Sequence, residues 1–513
     1  MHNILYIPLD ERTCNYKYPS MLAEMTDDIN LIIPPAEIMG SYKKPADTEK
    51  IWLWIFENTK KCEYAIISLD TLFYGNIINS RTHYKTISDC DNTFENIKKI
   101  KDINPQINIQ AFNLVARVAK INSSTEDPDY WEKYGEKIWL YSYLLDKINR
   151  KKASETDKTE FETVKNEIPE KYLNDFLNRR SIDIYVNLKA LDFVKNGIIN
   201  NLVIPKDDTA PYGYAAIDQK NIAEKIYREK IMDKVMVYPG ADEVGCVLFA
   251  RVFGMIKNYT PKIIIKYSSV NGGNFIPICE DRPFHEGLKS QINSVGGIIV
   301  NSEENSDILV AVNSPGTDMY DSLSYEKDVT YYSYSNNTEL INYINYYTDY
   351  YKKACSVSDV KFLNGGDSEF IETMILKNSI NSITSYCGWN TAQNTDGIAI
   401  SHSVISSYYR NFISDKDMYI KSKIFLLRML IEGWIFETNI LKKIYSDKNN
   451  FKNTDPYNIE KNYNEVGNIL EKLIKEEIHS NLNDTFAGRK IVFKNLSFPW
   501  KRVFDIDFDL ELI

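Results

Sequence analysis

Two stretches of this 513-residue chain place carboxylates side by side directly after an apolar run. In Ile204-Pro205-Lys206-Asp207-Asp208-Thr209-Ala210-Pro211-Tyr212-Gly213 the pair is Asp207 and Asp208, in a loop stiffened by two prolines. In Val237-Tyr238-Pro239-Gly240-Ala241-Asp242-Glu243-Val244-Gly245 it is Asp242 and Glu243, 35 residues further on. Carboxyl groups crowded together have their pKa values driven apart, which leaves one acid and one base near neutral pH. Glycoside hydrolysis needs that pair: an acid protonates the leaving oxygen while a carboxylate supports the oxocarbenium-like centre. All four residues are therefore candidate catalytic groups. Asp242 and Glu243 also suit the first turn of a following helix, where acids complement the dipole. Pro211 and Gly213 delay any helix after Asp208, so that explanation is weaker there.

The same theme recurs at other apolar runs. Asp10-Glu11-Arg12 follows Ile4–Ile7, Asp70 follows Tyr64–Leu69, and Asn113 and Asn313 each end a run of their own. Asp10 and Arg12 could bind ligand or pair with each other; Asp70 is followed downstream by Arg81. Gly388-Trp389-Asn390-Thr391-Ala392-Gln393-Asn394-Thr395 joins an indole to three amides. A Trp face stacks on a pyranose ring while amides bind its hydroxyls; Asn394 could equally cap a helix. Asp10, Arg12, Asp70, Tyr212, Trp389, Asn390 and Asn394 thus form a candidate binding set for a neutral, polyhydroxylated ligand. Glu280-Asp281-Arg282-Pro283 and Gly365-Gly366-Asp367-Ser368-Glu369 are lesser candidates, the second read most simply as a helix start capped by Asp367 or Ser368.

The elements that must position these residues alternate. Runs at Ile4–Ile7, Tyr64–Leu69, Ile107–Phe112, Asn201–Ile204, Lys234–Tyr238, Lys262–Lys266, Ile308–Val312 and Ile383–Tyr386 lack polar alternation, as strands buried on both faces do. Helix-period segments lie between them, for example Ile217–Ile231 and Glu243–Ile256. The β-α-β order predicts a mostly parallel α/β fold, and eight strands suit an irregular (β/α)8-like barrel. Three shorter runs, Leu31–Ile33, Ile298–Val300 and Lys361–Leu363, blur that count, and the short acidic loop joining Ile298–Val300 to Ile308–Val312 leaves a doubly wound, Rossmann-like sheet as the alternative to the favoured barrel. The expected organisation is an α/β core over 1–400 with a helical insertion at about 129–196. A helical region over 401–490 and a strand packed on the core over 491–513 complete it. Within the helical region Asp447–Pro456 is a polar break. Ile420, Ile424, Leu427, Ile431 and Trp434 share one helical stripe, which packs on the body or forms a homodimer seam. The tail Val503–Leu510 alternates strictly, so it predicts a strand with one acidic face, solvated or cation-binding. No internal repeat is visible in the sequence.

Composition narrows the function classes. Acidic residues exceed basic ones by ten, which argues against nucleic acid as a partner. Seven scattered cysteines without a Cys-x-x-Cys pair fit reduced thiols in a cytoplasmic protein. No run is long enough to span a membrane, and the N-terminus has no basic leader. There is no Gly-x-Gly-x-x-Gly after a strand, no P-loop, no His-Glu-x-x-His and no Gly-x-Ser-x-Gly elbow.

The blocks Ile7–Arg12, Asp207–Gly213, Tyr238–Gly245 and Gly388–Thr395, with the closing Phe498-Pro499-Trp500-Lys501-Arg502-Val503-Phe504, resemble the signature of a bacterial family. It is the domain-of-unknown-function family numbered 4127, and the resemblance covers nearly the whole chain without implying an activity. The tandem aspartates are also similar to those of barrel enzymes that remove N-acetylhexosamines by substrate assistance. That likeness implies one Asp orienting the acetamido group and the other acting as the acid.

The leading expectation is a glycosidase-like hydrolase without a cofactor, acting on a small-molecule or glycan substrate. Two others stand beside it: a Mg²⁺- or Mn²⁺-dependent enzyme acting on a phosphorylated metabolite through the same carboxylates, and a non-catalytic sugar-binding protein.

Overall fold

The apolar runs form parallel strands because helices on both faces of a sheet leave no side of the strand for water. The computed structural model describes all residues except 324–325, 413–415, 447–454, 484 and 487. Most of the polar break at Asp447–Pro456 therefore lies outside the described residues. The chain divides into two compact units. The first comprises Met1–Glu11, Ile29–Gly245 and Cys279–Asp281; the second comprises Arg12–Asp28, Cys246–Ile278 and Arg282–Ile513.

The first unit carries β1 (His2–Ile7), β2 (Ile29–Ile32), β3 (Tyr64–Ser68), β4 (Asn108–Phe112), β5 (Asn201–Lys206) and β6 (Val235–Pro239), in the order β2-β1-β3-β4-β5-β6. All pairs are parallel: Ile4 lies opposite Leu31 on one side and Tyr64 on the other, and Lys206 lies opposite Pro239. Three helices, Trp131–Asn149, Glu155–Glu167 and Glu170–Lys195, fill the connection from β4 to β5. They hold a small core of their own around Trp131, Ile138, Tyr141, Val164 and Phe176. The start of the middle helix is set by a capping box between Ser154 and Asp157.

The second unit carries β7 (Lys262–Tyr267), β8 (Ile298–Ile299), β9 (Ile308–Asn313), β10 (Tyr320–Asp321), β11 (Ala354–Asp359), β12 (Phe362–Leu363), β13 (Ser385–Cys387) and the hairpin β14 (Ile491–Ser497) with β15 (Asp507–Leu512). Its main sheet is also parallel, in the order β13-β11-β9-β7-β8. With strands numbered within each sheet, both sheets follow the 2-1-3-4-5 order of doubly wound, flavodoxin-like folds, the first with one added strand. The mostly parallel α/β expectation holds. The strands are shared between two sheets with edges, and among the described residues no hydrogen-bonded pair closes either into a ring. The chain thus repeats one topology that its residue pattern does not display, because burial constrains hydrophobicity rather than residue identity.

Two expectations in the second unit change. The helix Lys416–Leu430 continues as a π-helical stretch, Ile431–Ile440, so the stripe from Ile420 to Trp434 does not keep one α-helical register. Leu427, Ile431 and Trp434 are buried, as packing on the body requires. In the tail two of the three acids are held in ion pairs, while Asp509 stays exposed on the strand. Asp505 pairs with Arg502 and Asp507 with Lys17 and Arg428, while Asp509 accepts from Asn495. All seven cysteines are free thiols, six of them buried. Among the described residues no helix is long and apolar enough to cross a membrane.

Candidate functional site

In a doubly wound sheet, ligands bind beyond the carboxyl ends of the strands, where loops and helix N-termini converge. At that end of the first unit, β5 runs into Asp207 and β6 into Gly240, and the Gly240 amide donates to the Lys206 carbonyl at 3.1 Å. The two acidic loops therefore leave neighbouring strands side by side. The first is pinned at several points. Lys206, fully buried, forms an ion pair with Asp281 and donates to Gln219 Oε1 at 2.8 Å. The Thr209 amide donates to the Cys279 carbonyl at 2.8 Å.

The tandem aspartates have different surroundings. Asp207 is buried, and Arg81 directs Nε and Nη2 at its Oδ2, at 2.9 and 2.6 Å. Its Oδ1 accepts from the Asp208 amide at 3.1 Å. Asp208 keeps 37% side-chain exposure and accepts from Arg117 Nη1 at 3.0 Å. The protein packed around Asp208 raises its pKa; Arg117 opposes that rise and Asp207 adds to it. Arg81 and Arg117 both reach Glu126, at 2.8 and 3.3 Å, and Arg117 also holds Asp127 at 2.6 Å. The two guanidiniums thus tie together four carboxylates. Neither arginine belonged to the candidate set as a partner of these aspartates; the local sequence gives no sign of contacts that span 91 to 126 residues.

The other candidates are distributed unequally. Asp242 and Glu243 are buried and lie just ahead of the helix Val244–Lys257. Glu243 packs beneath Gly240, whose φ of +120° and lack of a side chain let the carboxylate approach closely. Asp10 is wholly buried after β1. Asp70 is buried in the helix Leu69–Tyr74; it accepts from Asn113 Nδ2 at 3.2 Å and from the Leu114 amide at 2.9 Å. Burial pushes its pKa up to about 7. It clasps the ends of β3 and β4. Tyr212 is half-buried, under the Arg150 guanidinium and against Tyr143.

Arg12, Trp389, Asn390 and Asn394 belong to the second unit. Arg12 stacks its guanidinium 4.5 Å from the Trp500 ring centre. Trp389 is 1% exposed, so its ring is a packed core group and not an open stacking platform. Asn390 takes a left-handed conformation, with its Oδ1 accepting from the Thr391 amide at 2.7 Å. Asn394 is buried inside the helix Ala392–Phe412 rather than at its cap.

A second polar cluster sits at the strand ends of this unit, around the point where its strand order reverses. Ser268, after β7, donates to Asn313 Oδ1 at 3.0 Å. Asn313 Nδ2 reaches Asp359 Oδ1 at 2.9 Å and Asp367 Oδ2 at 3.3 Å. Asp367 also accepts from Tyr331 at 2.6 Å and faces Lys361 Nζ at 3.5 Å. Lys361 lies 4.1 Å from the Tyr331 ring centre. Burial pushes Asp359 up to about 7, with Asp367 adding to the shift, and pushes Lys361 down. A cavity of about 590 Å³, lined by Ser268, Tyr331, Ser335 and Asn337 among others, lies against this cluster. Asp367 does stand at a helix N-cap position, yet its side chain makes no cap bond and serves the cluster instead. Asp359 ends a buried strand as Asp70 and Asp207 follow theirs, and that rule of position would have found it.

A family model described as "Protein of unknown function (DUF4127)" matches residues 4–509. The chain belongs to that family. No curated protein and no solved structure matches it. Among the described residues no three His, Cys, Asp or Glu side chains gather as a metal-ligand set.

Proposed function

We propose that the protein is a hydrolase of the carbohydrate-active class, with the Asp207–Asp208 loop as its acid–base centre. The observation that carries this reading is the unequal treatment of two adjacent carboxylates. Arg81 clamps Asp207 as a buried carboxylate, whereas Asp208 stays partly open to solvent with a raised pKa. That pattern supports Asp208 as proton donor to a leaving oxygen. Asp207 then supports the positive charge at the sugar carbon, or orients an acetamido group on an N-acetylhexosamine. Asp242 and Glu243, on the neighbouring strand end, supply the remaining acidity of the centre.

Turnover of an aryl-glycoside panel tests the assignment. Asp208→Asn should slow hydrolysis by about 10²–10⁴-fold for poor leaving groups, and far less for dinitrophenyl leaving groups that need no proton. Asp207→Asn should slow both. Full activity in both variants sinks the assignment. A second reading, sugar binding without turnover, is favoured by the Arg117 contact, which already occupies one Asp208 oxygen. Saturable binding with no turnover across the panel would select it.

A further inference from the structure

The second unit contains a cavity of about 730 Å³ lined by the helices Ala392–Phe412 and Lys416–Leu430 and by the segment Asn381–Thr384, among others. The charged residues lining it are Asp349, Lys352, Arg410, Lys423 and Arg489. Four cations to one carboxylate is an unusual balance in a chain whose acids exceed its bases by ten.

Lys423 is the informative residue. It is 7% exposed, and its Nζ donates to the Asn381 and Ile383 carbonyls at 2.9 and 2.8 Å. Both acceptors are neutral, and among the described residues no carboxylate pairs with it. Other buried cations of the same unit do have an acid: Lys361 has Asp367, Arg428 has Asp507 and Arg502 has Asp505. Burial, with the charge of the exposed Arg410 adding to it, lowers the Lys423 pKa to about 7. An ammonium enclosed beside a like charge is costly unless an anion completes the site.

The remaining wall suggests what that anion is attached to. Met418, Ile405 and Tyr419 give it an apolar surface. Ser406 and Ser422 add hydroxyls 3.0 Å apart, and Ser422 also contacts His402 Nε2 at 2.8 Å. Burial holds the His402 pKa down at about 3, so the imidazole is neutral and adds no competing charge.

We propose that this cavity binds a small molecule with one anionic head, a carboxylate or phosphate, on an apolar body. The head lies between Lys423 and Arg410 with the serine hydroxyls beside it, and the body lies along Met418, Ile405 and Tyr419. The volume is in the range of small-molecule sites.

Calorimetric titration of the full-length protein tests this with octanoate, phenyl phosphate, inorganic phosphate and octanol. Octanoate or phenyl phosphate should bind and octanol should not; whichever anion binds identifies the head group. Lys423→Met and Arg410→Gln should each weaken that binding by about tenfold or more. Arg410 is exposed, so its variant keeps the test valid even if Lys423→Met folds poorly. At pH 7.5 binding should take up protons, because the anion favours the charged lysine, and Lys423→Met should abolish that uptake. Binding of neither anion, equal binding of octanol, or affinities unchanged in both variants overturns the site. Inorganic phosphate binding as tightly as phenyl phosphate overturns the apolar body.

Discussion

The Asp367 backbone amide donates to Asp359 Oδ2 at 2.8 Å, and Asn313 Nδ2 bridges the two side chains from the other face. Two carboxyl groups are thus held together at the strand ends of the second unit, where water is excluded from both. Burial, with the neighbouring Asp367 charge adding to it, keeps a proton on Asp359 well above the usual carboxylate range.

That proton makes a prediction about stability. Burial raises the folded-state pKa of Asp359 from 3.8 to about 7. Between those values the folded chain binds more protons than the unfolded chain, so stability falls as pH rises across this window and levels off above it. Each pKa unit is worth about 1.4 kcal/mol. Asp359→Asn removes the titration, so its destabilisation relative to wild type should be smaller at pH 8 than at pH 5. Urea unfolding at the two pH values measures this, and an equal or opposite difference rules the explanation out.

How much of this was legible beforehand depended on range. Strands such as Ile4–Ile7, Tyr64–Ser68 and Ile308–Asn313 were readable because burial on both faces demands unbroken apolar runs. Asp207 and Asp208 were readable because a strand end followed by acids is a local pattern. Their arginines were not, since Arg81 and Arg117 arrive from distant segments and only the folded chain joins them. Trp389 misled for the opposite reason: an indole beside three amides suits a sugar platform, but burial is decided by tertiary packing. The assignment of strands to two sheets was likewise hidden, because a parallel strand reads the same in a closed ring or an open sheet.

Gly240 should tolerate no side chain. A Cβ there would lie 2.4 Å from Glu243 Oε1, and a φ of +120° disfavours any L-residue. Gly240→Ala is expected to cost about 1–3 kcal/mol. In a Glu243→Ala background the clash disappears and only the backbone strain remains, so the increment should shrink. A double-mutant cycle in urea reads the difference, and an unchanged increment would show that Glu243 is not what Gly240 accommodates.

Lys206, fully buried, and Asp281, mostly buried at its side chain, form an ion pair at the base of the acidic loop. Removing one partner strands the other charge, so Lys206→Met should destabilise by about 3–5 kcal/mol. Replacing both, as Lys206→Met with Asp281→Leu, should recover most of that loss, because the desolvated charge is gone. Denaturant midpoints decide it; a double variant as unstable as the single one shows that loop geometry, not charge, is what the pair maintains.

Arg81 acts on the proposed acid through Asp207, and the sign of its effect can be worked out. Its positive charge lowers the Asp208 pKa, and it neutralises Asp207, whose negative charge raises that pKa. Arg81→Gln removes both restraints, so the Asp208 pKa should rise further. In an enzyme that needs Asp208 protonated, the alkaline limb of the kcat/KM profile reports that group and should move to higher pH. The loosened Asp207 should at the same time lower kcat at the optimum by about 10–100-fold, through lost orientation rather than lost chemistry. Arg81→Lys restores the charge but not the two-pronged contact with Oδ2. It should return the alkaline limb toward its original position while leaving kcat low. A limb that stays fixed in Arg81→Gln, or moves to lower pH, shows that Asp208 is not the acid.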